Sequence, residues 1–219
     1  MPSIVLTTLL AGVVLRATLP TSAQQAEFPK ATYDFSLPRE EKIKLAESAA
    51  PPEISGKATV YILERRGYLK VRDGSNGFTC FVDRQHPLNS EPTCFDAEGS
   101  ATTFQSRLLA EDLRAKGKSE AEVTAAIEQG YQSGEFRAPQ KPGIVYMMSD
   151  AGSIYIQQLN KMVNLPPHLM FYDPYATDKD IGSPPAAASM PHLIRAGQPD
   201  AVIIVIPPTA KPPANPSTN

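Results

Sequence analysis

The spacing of hydrophobic residues changes several times along this chain, and each change marks an element. Residues 3–15, SIVLTTLLAGVVL, form an unbroken apolar run. Residues 36–52, SLPREEKIKLAESAAPP, instead carry only Ile43 and Ala46 or Ala50 as one thin apolar face, which predicts a short N-terminal helix. Ser36 is placed to cap it, Pro38 is tolerated in its first turn, Glu40 and Glu41 suit the positive end of the helix dipole, and Pro51 and Pro52 stop it.

The period then shortens. KATVYILERRGYLKVRDGSNGFTCFVDR (57–84) is rich in β-branched and aromatic residues and is broken at Gly67 and at DGSNG, predicting three strands joined by turns. Val60 and Ile62 face one way and Tyr61 and Leu63 the other, so the first strand is expected to be covered on both sides. From residue 101 the spacing turns helical. Phe104, Leu108, Leu109 and Leu113 form one stripe ending at Gly117, and Val123, Ala126, Ile127 and Tyr131 form a second behind a Ser119/Glu122 capping box. Together they predict a helical hairpin. Strand patterns return at 142–150, 153–159, 167–174 and 201–208, the last a continuous apolar run suited to a central strand. The expected fold is a single α+β domain over 36–208, a mostly antiparallel sheet with a helical hairpin and a short N-terminal helix, the helices on one side.

The two ends of the chain change the picture. The run at 3–15 is too short to span a bilayer, which takes about 20 residues, and Thr21 and Ala23 set small side chains where a signal peptidase reads. Residues 1–23 are therefore expected to be a signal peptide and 24–35 a flexible arm. The product would be periplasmic or extracellular, with no membrane span in the mature chain. Residues 209–219, TAKPPANPSTN, are expected to be a disordered proline-rich tail. With 42% hydrophobic and 20% charged residues the composition is that of a globular protein. The formal charge is −2. It lacks the basic excess that phosphate backbones demand, which argues against a nucleic-acid partner.

Candidate chemistry is sparse. NGFTCFVDRQHPLNSEPTCFDAEGS (76–100) holds both cysteines and His86. If its two halves pair about residue 87, Cys80 lies opposite Cys94, within disulfide reach. In an oxidising compartment a Cys80–Cys94 staple is the expectation. The alternatives are a Cys nucleophile activated by His86, which lacks an orienting third group, and a metal loop, which lacks short Cys spacing and a histidine pair. His168, followed by Asp173, Asp178 and Asp180, is the other cluster. It reads as an acid/base or metal site, or more simply as a core strand followed by a polar turn, since Asp178–Gly182 is too incomplete for a calcium loop. His192 reads as a surface or cap residue. Asp96 and Glu98 lack the facing geometry of a glycosidase pair, and Ser100 is expected to cap the following helix. No cofactor fingerprint or metal motif occurs.

The stretches AAPPEISGKATVYI, SNGFTCFVDR with EPTCFDAEG, GIVYMMSD, PHLMFYDP and the near-terminal AVIIVIP resemble a group of exported bacterial proteins of uncharacterised activity. That resemblance implies export and one domain, and brings no catalytic residue or cofactor. The expected function is a binding or interaction module for an unknown small molecule or envelope protein, with Tyr61, Phe78, Phe81, Tyr146, Met147, Met148 and Phe171 supplying the core and an apolar pocket. The alternative is a small extracytoplasmic hydrolase using His168 and Asp173, with His86 third. A further alternative is envelope scaffolding through residues 209–219.

Overall fold

A computed structural model of the chain describes residues 32–182 and 191–206. The expected signal peptide, the arm as far as residue 31 and the proline-rich tail lie outside these residues. Ten strands are described: β1 (Thr59–Glu64), β2 (Gly67–Arg72), β3 (Thr79–Asp83), β4 (Glu91–Phe95), β5 (Ile144–Met147), β6 (Ser153–Ile156), β7 (Lys161–Asn164), β8 (His168–Tyr172), β9 (His192–Ile194) and β10 (Val202–Val205). Eight form one sheet in the order β2-β1-β3-β4-β5-β8-β10-β9. Only β1 and β3 run parallel in it. The helices are α1 (Arg39–Glu47), α2 (Pro52–Ser55), α3 (Ala97–Ala101), α4 (Thr103–Ala115), α5 (Glu120–Ser133) and α6 (Asp178–Ile181). The α+β class and the mostly antiparallel sheet are as the sequence predicts.

The register at the centre follows the symmetry read from the sequence. Thr79 pairs with Phe95, Cys80 with Cys94 and Asp83 with Glu91. The cysteines are joined in a disulfide, their Cα atoms 4.1 Å apart. Every residue of β3 and β4 is buried, so these strands require cover on both faces. The helices accordingly do not all lie on one side. Ala46 of α1 packs on the face carrying Val60 and Val82, and Ala49 and Ala50 pack beside Cys80 and Cys94. On the opposite face Phe104 of α4 meets Phe81 at 4.7 Å and Tyr61 at 4.9 Å between ring centroids.

Several local expectations change. Ser36 does not cap α1. Its N–H and hydroxyl both donate to Asp34 Oδ1, and Pro38 occupies the cap position. The arm expected over 24–35 is anchored at its end, because Tyr33 is buried and donates its hydroxyl to the Leu63 carbonyl at 2.8 Å. Pro52, read as a helix stop, begins the short α2, since proline suits a first helical position. The cap after β4 is Asp96, which accepts from the Gly99 N–H, and Ser100 is inside α3. The β6 pattern pairs only with β7, through an isolated hairpin tied to the main sheet at Ser90 and Ser153. His192 begins β9 rather than capping an element. Met148, which follows β5, and Phe171 of β8, both expected in the core, are instead 38% and 39% exposed. Phe81 and Met147 are buried as expected.

The staple closes a loop of 14 residues. The double variant Cys80→Ala/Cys94→Ala is expected to lose about 3 kcal/mol of unfolding free energy, measured by equilibrium urea denaturation. Its urea midpoint should fall with little change in far-UV circular dichroism.

Candidate ligand-binding cleft

Helix α4 begins where Thr102, at φ −119° and ψ −86°, breaks the chain away from α3. From there Thr103, Arg107, Ala110 and Arg114 recur at spacings of four, three and four, so they share one helix face. That face looks onto the ends of β3 and β4, the loop before β10 and the start of α5. Asp83, in phase with Phe81 along β3, meets it from the sheet.

Arg107 bridges β3 and the loop before β10. Its Nε is 3.1 Å from Asp83 Oδ2 and its Nη2 is 3.7 Å from Asp200 Oδ2. Arg195 Nε donates to the other oxygen of Asp200 at 2.6 Å. Burial disfavours the Arg107 charge, yet Asp83 and Asp200 outweigh it and hold the guanidinium above its ordinary pKa. A second branch adjoins this one. Arg84 and Arg114 both bind Glu111, Arg114 at 2.6 Å. Arg114 also grips Glu120 with two parallel hydrogen bonds, at 2.9 and 2.7 Å, and donates to the Arg84 carbonyl. Arg84 further stacks on the Phe35 ring, 5.0 Å from its centroid.

Behind Asp83, Glu91 faces it across the strand pair. Both carboxyls are buried, and burial raises both pKa values, that of Glu91 to about 7 with the Asp83 charge adding to the effect. Asn89 Nδ2 donates to Glu91 Oε1 at 2.7 Å. Like carboxylates this close favour holding a proton between them. Since each is only 4% exposed, that proton belongs to the core rather than to an open acid/base site.

In front of Arg107 a small cavity of about 20 Å³ is lined by Asp83, Thr103, Arg107 and Asp200 on its polar side and by Phe95 and Tyr172 among its apolar residues. Next to it, sharing Gln85, Arg107 and Arg195, is a cleft of about 80 Å³ against Ala110, Val123 and Ile127. Thr103 Oγ1, Arg107 Nε and Asp200 Oδ2 are buried and have no hydrogen-bond partner among the described residues. For Arg107 the Asp83 oxygen is near enough for an ion pair but off the line of the N–H. The residues carrying all three atoms line the small cavity.

The sequence-derived candidates lie elsewhere. His168 is only 1% exposed at the start of β8, with Nδ1 2.7 Å from the Pro166 carbonyl, and burial lowers its pKa. Asp173 follows the other end of the same strand, roughly 16 Å away at ~3.3 Å per residue. The two do not form a dyad. His86 is in the loop after β3, its ring 5.0 Å from that of Tyr155, and its Nδ1 accepts from the Leu88 N–H. Burial lowers its pKa as well. Cys80 and Cys94 are committed to the disulfide. Asp178 and Asp180 belong to the one-turn α6, where Asp180 completes a capping box with Thr177. Among the described residues no group of three or more His, Cys, Asp or Glu is placed to hold a metal ion, and no helix is long and apolar enough to cross a membrane.

The cleft residues Asp83, Thr103, Arg107 and Asp200 escaped the sequence reading. One signal was present: Asp83 shares the phase of Phe81 and so had to point inward. The alignment of Asp200 with Arg107 has no local signature, because nearly a hundred residues separate them.

A pH dependence follows from Glu91. Its carboxyl keeps its proton to about pH 7 in the fold, against an ordinary value of 4.5. The native state then binds more protons than the unfolded chain between those values, and this contribution to stability is lost as pH rises through 7. Glu91→Gln keeps the oxygen that accepts from Asn89 and removes the ionisation. It should be more stable than the wild type at pH 8, by on the order of 1–3 kcal/mol. The gap should close toward pH 4.5 in chemical denaturation measured across that range.

No protein-family model matches the chain, nor does any curated protein or solved structure.

Proposed function

We propose that this chain is an exported binding module that holds a small-molecule ligand over the Thr103–Arg107 face of α4. The carrying observation is the set of three buried polar atoms, Thr103 Oγ1, Arg107 Nε and Asp200 Oδ2, left without a hydrogen bond among the described residues and carried by residues that line one cavity. The great majority of buried polar groups in folded proteins are bonded to protein or to ordered water, and each unmet one costs about 1–3 kcal/mol. Three on one lining are the mark of a surface shaped for something else to complete. A ligand bonding to them would recover that cost on binding.

Export is supported by the apolar run at 3–15 with small residues at Thr21 and Ala23, and by the Cys80–Cys94 disulfide, which suits an oxidising compartment. The hydrolase reading receives no such support. Its His168 and Asp173 are separated, and His168 is sealed in the sheet.

Thr103→Val tests the binding reading without disturbing shape. Removing an unmet buried hydroxyl should raise the midpoint of thermal unfolding of ligand-free protein. The same change should reduce the small molecule retained by protein purified from an exporting host, read by native mass spectrometry. A loss of stability with unchanged retention, or no retained molecule on the wild type, would contradict the proposal.

A further inference from the structure

The charges around the cavity narrow the class of ligand. Asp83 and Asp200 contribute two negative charges to its lining, and Arg107 and Arg195 two positive ones. The lining is therefore balanced before anything binds. An anion drawn to Arg107 would be forced against Asp83 and Asp200, and a cation drawn to Asp200 would meet Arg107 and Arg195. In a buried setting either leaves an uncompensated charge, the most costly arrangement available.

The unmet atoms point the same way. Arg107 Nε–H is a donor that wants an acceptor, Asp200 Oδ2 is an acceptor that wants a donor, and the Thr103 hydroxyl can serve as either. Thr103 and Asp200 are each only 3% exposed, so water outside does not satisfy them. One neutral group that donates and accepts at once completes all three. A hydroxyl does so, and it can fit a cavity of about 20 Å³. The adjoining cleft, about 80 Å³ and sharing Gln85, Arg107 and Arg195, offers Val123 and Ile127 as an apolar floor with Glu128 and Arg84 among its polar residues. Apolar floor and paired polar edge suit a ring that is hydrophobic on its face and hydroxylated on its rim.

Resting on the binding role argued above, we propose that the ligand is an uncharged polyhydroxylated ring, a hexose or the hexose end of a glycan, with one hydroxyl set between Arg107 and Asp200. The carboxylate and guanidinium divide that hydroxyl's accepting and donating functions, and the remaining hydroxyls lie along the mixed edge of the cleft.

The test is a titration of the disulfide-bonded full protein with glucose, galactose and N-acetylglucosamine, and with galacturonate, glucosamine and inorganic phosphate as charged counterparts. The readout is the Arg107 Nε–H and Thr103 methyl resonances. At least one neutral sugar should shift both, binding about tenfold or more tighter than any charged probe. Asp200→Asn keeps an oxygen for Arg195 but exchanges the unmet acceptor for an amide donor, and should weaken that binding about tenfold or more. Asp73→Asn, an exposed residue paired with Lys70 that lines neither the cavity nor the cleft, should leave it unchanged. A charged probe that shifts those resonances more tightly than every neutral sugar overturns the ligand class while leaving the binding role in place. No shift with any probe, together with an Overhauser contact from Arg107 Nε–H to a long-lived water, overturns both. Sugar binding unaltered in Asp200→Asn overturns the assignment of the hydroxyl to Arg107 and Asp200.

Discussion

Arg107 is the constraint around which the second half of this protein is arranged. A guanidinium buried beneath a helix is tolerated only if carboxylates neutralise it, and here they come from segments far apart in the chain, Asp83 on β3 and Asp200 before β10. Removing one partner of such a buried pair typically costs 3–5 kcal/mol, because the other charge is then stranded. The interaction thus fixes where α4 sits on the sheet and where the chain must return to lay down β10. The Arg84–Glu111–Arg114–Glu120 branch extends the same arrangement to the start of α5.

Two different physical devices hold the two faces. On the α1 face most contacts are apolar, with Ala46, Ala49 and Ala50 close against Val60, Val82 and the disulfide, and the buried Lys42 is paired with Glu64. The α4 face begins with the aromatic group of Phe81, Phe104 and Tyr61 and passes into the charged cluster within one or two turns of helix. The first device seals; the second leaves donors and acceptors unmet. On the binding role proposed above, buried polar atoms that lower the stability of the fold are the usual trade, function being favoured over maximal stability. The position of the cavity, where the aromatic group gives way to ions, follows from that division.

The elements of this fold were largely legible in the sequence because their signals are local. The symmetry about residue 87 located the Cys80–Cys94 pair, and the Ser119/Glu122 box located the start of α5. The short β7 and β9 were missed, since four and three residues carry too little period to register. The cleft was illegible for a different reason. Arg107 and Arg114 have the spacing of an ordinary solvated helix face, and only tertiary packing reveals that carboxylates wait for them. A histidine's chemistry is recognisable in sequence without its surroundings, yet His168 is a core residue against the Pro166 carbonyl, its pKa lowered by burial.

The central claim is that Thr103, Arg107 and Asp200 together form the unmet lining of a ligand site. The most direct measurement is a high-resolution crystal structure of the protein isolated, without denaturation, from an exporting host. Connected non-protein density is expected to extend from between Arg107 Nε and Asp200 Oδ2 into the cleft beside Val123 and Ile127. A single spherical water bonded to all three groups, with the cleft beside it holding only bulk solvent, would contradict the claim.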